Sequence, residues 1–238
     1  MTTTFTINIR NEDPQRETAT FWLYQAAPTV SKMFYAAVYQ SIDVDLKSTG
    51  KLTIIAEPYA IVATTKSDFT NWMKPTIFDH LDSRPVQLTK RPVKGSVVCI
   101  DCNLETGLSY FDDAKAATTT TDASFRITAS ENVQPADEES TILMGMGAKN
   151  PGTGEIVPIA ILPAQAGKTL TFTPELSLYY IACGKQGHAR FDKYNWVDYD
   201  GFEEVDFRGK SSGAEISMVL GRHHDGWPFW AREDHQAA

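Results

Sequence analysis

Along most of this chain apolar and polar residues alternate one by one. Residues 5–9 read Phe-Thr-Ile-Asn-Ile, and the same period of two recurs at 18–24, 51–55, 59–64 and 97–100. Further segments that read as strands lie at 125–128, 141–146, 156–162, 170–173, 176–182 and 214–220. These segments are rich in β-branched and aromatic residues, and a period of two puts alternate side chains on opposite faces of an extended strand. Turn-forming residues separate them: Asn-Glu-Asp-Pro at 11–14, Ser-Thr-Gly at 48–50, Asn-Pro-Gly-Thr-Gly at 150–154 and Ala-Gly at 166–167. The glycine-rich run 145–154 is followed by no helix that could offer a dipole to phosphate, so it reads as a hairpin turn. A short helix over 67–81 would be interrupted by Pro75. Many short strands joined by Gly/Pro turns predict an all-β fold of sandwich or barrel type.

Laid against itself, the chain repeats. Phe5-Thr-Ile-Asn-Ile matches Phe125-Arg-Ile-Thr-Ala at an offset of 120, and Phe21-Trp-Leu-Tyr meets Thr141-Ile-Leu-Met at the same offset. Leu52-Thr-Ile meets Leu170-Thr-Phe at 118, Ile61-Val-Ala meets Tyr180-Ile-Ala at 119, and Gly95-Ser-Val-Val meets Gly213-Ala-Glu-Ile at 118. Gly107-Leu-Ser-Tyr-Phe matches Gly226-Trp-Pro-Phe-Trp at 119. Each match is weak, but their collinearity predicts a tandem duplication of two pseudo-equivalent β-sandwich-like halves, 1–119 and 120–238. The polar, low-complexity stretch 112–123 reads as the linker. A cleft between the halves, or the loop end of one, is where a ligand pocket is expected.

Composition narrows the partners. The 238 residues carry a formal charge of −8, and no basic run exceeds Lys90-Arg91, which argues against nucleic-acid binding. The charge is uneven: residues 1–119 hold 12 Lys and Arg against 13 acids, residues 120–238 hold 10 against 17. No window approaches the roughly 18 apolar residues of a membrane span, and the opening residues carry no leader pattern. Three cysteines do not make a disulfide framework, so a cytoplasmic protein is expected; a homo-oligomer is left open.

Candidate chemistry concentrates near the end of the chain, in His223-His224-Asp225-Gly226-Trp227-Pro228-Phe229-Trp230. Under the duplication, Gly226 and the aromatics after it are shared with residues 107–111 and read as structural, whereas His223, His224 and Asp225 replace Leu104-Glu105-Thr106. A histidine oriented by a carboxylate could serve as a general acid or base. Cys99-Ile-Asp-Cys102 has metal-like spacing but no second pair, and Asp198-Tyr-Asp-Gly lacks the full calcium loop. No metal and no cofactor is therefore expected. Phe191, Tyr194, Trp196, Tyr199 and Phe202 crowd one acidic connection, and Trp72 lies in the corresponding connection of the first half. With Trp227 they suit an apolar pocket or a stacking surface.

The sequence therefore suggests a protein that binds a small apolar or aromatic molecule. One alternative is a cofactor-free isomerase or cyclase using His223 or His224, with Asp225, to move a proton. Another is a carbohydrate-binding module.

Overall fold

The computed structural model describes residues 3–26, 28–30, 35–66, 78–133, 141–184, 191–192 and 202–233. Among them the chain forms β1 (Thr4–Asn11), β2 (Thr18–Gln25), β3 (Tyr35–Ala37), β4 (Gln40–Asp45), β5 (Thr49–Ile55), β6 (Pro58–Thr65) and β7 (His80–Pro85). There follow β8 (Gly95–Cys102), β9 (Ser109–Phe111), β10 (Ala117–Thr119), β11 (Phe125–Ala129), β12 (Thr141–Lys149) and β13 (Ile156–Pro163). The last are β14 (Thr169–Phe172), β15 (Leu178–Gly184), β16 (Phe191–Asp192), β17 (Phe202–Asp206), β18 (Ala214–Arg222) and β19 (Pro228–Glu233). The fold is all-β, and every segment predicted from alternation overlaps a strand. Among the described residues no helix is long and apolar enough to cross a membrane.

The strands form four sheets. Sheet one runs β19-β18-β1-β5, and sheet two runs β10-β8-β11-β14 with β9 also on β8. Sheet three runs β16-β3-β13-β12-β6-β7, and sheet four runs β17-β15-β2-β4. Each sheet draws strands from both 1–119 and 120–238.

Two of the pairings are parallel, β1 with β18 and β8 with β11. In the first, Thr6 faces Glu215; in the second, Arg126 faces Val97. Adding 120 to the β1 number and subtracting 118 from the β18 number converts one register into the other. The antiparallel neighbours repeat as well: Phe5 faces Ile54 where Phe125 faces Phe172. Phe21 and Leu23 of β2 point into the main core, as do Ile142 and Met144 of β12, so the sequence match of Phe21 with Thr141 sets a core-facing residue against one on the other face of its strand.

That core is continuous through all four sheets. Ile7, Ile54 and Met218 of sheet one, Ile100, Ile127 and Phe172 of sheet two, Val62 and Met144 of sheet three, and Phe21 and Ile181 of sheet four belong to one buried cluster. Sheets one and four are joined by Phe5 and Phe207, whose rings stack at 4.4 Å and 15°. A smaller cluster of Ile61, Ala63, Leu143 and Ile161 buries the other face of sheet three, with Phe78 and Leu81 packed on it. Burial on both faces explains why β12 reads as a nearly unbroken apolar run. Gly145 lies so close to the Ala160 carbonyl of β13 that any side chain there would collide with backbone.

The stretch 112–123 is more folded than its composition predicts. Residues 113–115 form a 3₁₀ turn, and β10 pairs with β8 from Ala117 opposite Val97 to Thr119 opposite Gly95. Thr119 is buried, and its carbonyl accepts from Thr89 Oγ1 at 3.2 Å. A polar edge strand needs only backbone partners, so apolar periodicity gives no sign of it.

Tyr39 is fully buried; its hydroxyl donates to the Lys149 carbonyl at 2.8 Å and accepts from the Ile55 amide at 3.3 Å. Burial pushes its phenol from 10.0 up to about 12. A phenol raised on folding contributes stability that is complete below the unfolded value and is lost as pH rises through the folded one. Urea midpoints should therefore fall between pH 10 and about 12. A shift of this size corresponds to about 3 kcal/mol. Tyr39→Phe should flatten this alkaline limb; an unchanged limb would show that Tyr39 does not set it.

Candidate functional site

The stretch singled out by sequence is the hairpin turn between β18 and β19. Pairing ends at Arg222 opposite Pro228, and residues 223–227 close the turn. The His223 amide donates to the Trp227 carbonyl at 2.8 Å, and the Gly226 amide to the His223 carbonyl at 3.0 Å. Gly226 has φ of +90°, a conformation that glycine adopts without the steric penalty of a side chain. His223, His224 and Asp225 all face solvent. The His223 ring lies 4.5 Å from that of Phe229, tilted by 41°. Asp225 Oδ1 accepts from the Trp227 amide at 3.4 Å, so its contact is local and not with either imidazole.

The three aromatics of the stretch divide. Trp230 packs edge-on against Phe21 of sheet four at 5.6 Å and 62°, as a structural reading requires. Phe229 is half-buried over Gly221, where it leaves no room for a side chain. Trp227 is 71% exposed.

Beneath the turn lies a buried ion pair that sequence reasoning missed. Arg222 Nε and Nη2 donate to the two carboxylate oxygens of Asp13, at 2.7 and 2.6 Å, and Nη1 donates to the Gly226 carbonyl. The Asp13 side chain is 0% exposed and that of Arg222 12%. Arg16 Nε approaches Asp13 Oδ2 at 3.1 Å, and the Gln15 amide donates to Oδ1 at 3.0 Å. Burial alone would lift the Asp13 carboxyl. The hydrogen bonds from Arg222 and Gln15, with the charges of Arg222 and Arg16, outweigh it and hold the carboxyl below its ordinary value. The partners are 209 residues apart, and neither sits in a motif, so no local signal could have joined them.

The other predicted residues fall elsewhere. The backbones of Phe191 and Phe202 lie in β16 of sheet three and β17 of sheet four. Tyr194, Trp196, Tyr199 and Trp72 lie outside the described residues, as do Asp198 and Asp200. Arg232 of β19 donates to the Glu204 carbonyl of β17 at 2.6 Å, so the hairpin runs beside the strand into which the aromatic connection leads. Asp206, at the end of that strand, is paired with Arg208, whose bonds of 2.9 and 2.7 Å hold its carboxyl at about 2.

Cys99 and Cys102 are both buried, and burial raises both thiols, the reverse of a reactive or metal-binding pair. Between them Asp101 accepts from Ser130 Oγ at 2.6 Å and pairs with Lys115 at 3.3 Å, a structural anchor. Among the described residues no cluster of His, Cys, Asp and Glu could hold a metal.

Two shallow depressions adjoin the solvent face of sheet one. One, of about 230 Å³, is lined by charged residues including Asp206, Lys210, Glu215, Arg232 and Glu233. The other, of about 220 Å³, is lined by Asn8, Arg10, Thr49 and Glu233 among others. Several of these charges already have partners, as Arg10 has Glu233 at 2.6 Å and Lys51, beside them, has Glu215 at 3.7 Å. Exposed pairs of this kind contribute about 0–1 kcal/mol each. Their polarity does not suit an apolar ligand.

Compared with known protein families, curated proteins and solved structures, the chain matches none.

Proposed function

We propose that the protein binds a flat apolar or aromatic small molecule at the β18–β19 turn, with Trp227 as the stacking face and His223 and His224 as its polar rim. Trp227 carries this reading: a large indole stands 71% exposed on a turn whose backbone is fixed. Leaving so large an apolar side chain in water forgoes on the order of 2 kcal/mol of burial. Tryptophan is also the residue most often found to dominate recognition surfaces, because its rigid face stacks at little entropic cost. The aromatic sequence leading into β17 supplies candidates for a second face, Tyr194, Trp196 and Tyr199.

The duplication belongs to the same proposal. We read the chain as two β-sandwich-like halves, 1–119 and 120–238, that exchange strands. The repeated ladder registers support this, and so do the turns. In the β8–β9 turn the Asn103 amide donates to the Leu108 carbonyl at 2.9 Å and the Gly107 amide to the Asn103 carbonyl at 2.8 Å, the same two kinds of bond as in the β18–β19 turn but enclosing one residue more. Gly107 too has positive φ, and Leu108, like Trp227, is exposed. The site thus sits where one turn carries His-His-Asp and an indole and the other does not.

Saturation-transfer NMR against a set of aromatic fragments tests the assignment. Trp227→Ala should abolish fragment signals while changing stability by less than about 0.5 kcal/mol, as for other exposed substitutions. Fragment binding that survives Trp227→Ala would sink it. Turnover lost in His223→Ala or His224→Ala with binding retained would favour an isomerase or cyclase. Calcium-dependent glycan binding would favour a carbohydrate module.

A further inference from the structure

The β8–β9 and β18–β19 turns, of six and five residues, are fixed by different means. In the β8–β9 turn, Asn103 Oδ1 accepts from the Glu105 amide at 2.9 Å and the Thr106 amide at 3.1 Å, so a side chain of the turn itself locks its backbone. At the β18–β19 turn His223 stands, as Asn103 does, at the first position beyond the ladder; the turn's own Asp225 Oδ1 makes only a 3.4 Å contact with the Trp227 amide, and the short contact comes from the strand, where Arg222 Nη1 donates to the Gly226 carbonyl. That guanidinium is in turn held from across the sheet, because its other two nitrogens are engaged by Asp13.

Asp13 is itself fixed in place. Its amide donates to Asn11 Oδ1 at 3.1 Å, and Asn11 Nδ2 donates to the carbonyls of Arg16 and Val44 at 3.1 Å each. The Lys47 amide donates to the Asn11 carbonyl at 2.7 Å. The β1–β2 and β4–β5 turns are thereby joined into one buried polar unit, from which the planar fork of Arg222 reaches the β18–β19 turn.

We propose that Asp13 and Arg222 are positioning residues for the Trp227 turn, so that the shape of the binding tip is set by a carboxylate on the opposite end of the sequence. The functional half of this rests on Trp227 being the contact residue; the structural half does not. Arginine is required in this role because two nitrogens must face the carboxylate while a third, in the same plane, reaches a carbonyl. Lysine keeps the charge pair but has no planar fork to hold both carboxylate oxygens while fixing the carbonyl in one geometry.

Labelling with 5-fluorotryptophan separates positioning from mere stabilisation. Arg222→Lys should remain cooperatively folded, and the ¹⁹F resonance assigned to Trp227 should move to the position of a free indole and sharpen, while those of Trp22 and Trp230 stay in place. The double variant Asp13→Leu/Arg222→Met replaces the pair by apolar side chains and should give the same result. A Trp227 signal unchanged in either folded variant overturns the proposal. So does movement of all the indole signals together, or failure of both variants to fold, since the pair would then act only on the whole structure. No ligand enters this readout, so it can succeed where the fragment experiment on Trp227→Ala fails, and the two failures are told apart. If both hold, Arg222→Lys should also weaken fragment binding.

Discussion

Phe207→Ala should lower the stability of the protein by about 3–5 kcal/mol, the range for removing a fully buried phenylalanine. The ring is 0% exposed, stacks on Phe5 of sheet one at 4.4 Å, and meets Tyr179 of sheet four edge-on at 6.3 Å and 78°. It therefore fills the space where two sheets approach, and neither can close over the cavity without leaving its own ladder. Urea unfolding followed by circular dichroism measures the loss. Leu104→Ala, at an exposed leucine, is the control and should change stability by less than about 0.5 kcal/mol. A Phe207→Ala loss below about 1.5 kcal/mol would mean that the two sheets do not depend on this ring for their packing.

Asp13→Ala should cost a similar amount for a different reason. It leaves the Arg222 guanidinium buried without its carboxylate, and breaking a buried pair from one side typically costs about 3–5 kcal/mol. The double apolar variant Asp13→Leu/Arg222→Met should recover most of this loss, because no uncompensated charge remains. Asp13 has a folded pKa below its ordinary value of 3.8. Its contribution is thus complete above the unfolded value and is lost as pH falls through the depressed one. Acid should destabilise the native protein more steeply than the double variant. Equal acid limbs in the two proteins would remove Asp13 as the cause.

Much of the strand pattern was legible because alternation reports burial of one face, and β1, β2, β5 and β18 bury one face against the core. Strands that bury little left no such mark. β7, His-Leu-Asp-Ser-Arg-Pro, is an edge strand ending in proline, whereas the edge strand β4, Gln-Ser-Ile-Asp-Val-Asp, does alternate, with Val44 buried between exposed acids, and was passed over. β10 is three residues of Ala-Thr-Thr whose backbone, not its side chains, holds it to β8. The sequence match of Phe21 with Thr141, which joins residues on opposite faces of their strands, has a similar origin. β12 is buried on both faces, so its composition does not say which residues face the main core, and only the pleat distinguishes Ile142 from Thr141.

The site divides in the same way. A structural part for Trp230 was readable in the stretch, and Trp230 packs on Phe21. That Trp227, of the same motif, points into water was not readable, because Gly-Trp-Pro-Phe-Trp does not reveal which ring finds a partner. Phe21 takes Trp230 and Gly221 takes Phe229, leaving the first indole outside.

By itself the sequence determined the all-β class and the position of most strands, since these follow from local periodicity and turn chemistry. Only the tertiary structure decided that strands of the two parts of the chain pair with each other, that one core runs through four sheets, and that Asp13 reaches Arg222. Those contacts join residues far apart in the chain, and their energies depend on burial that exists only once the sheets have closed.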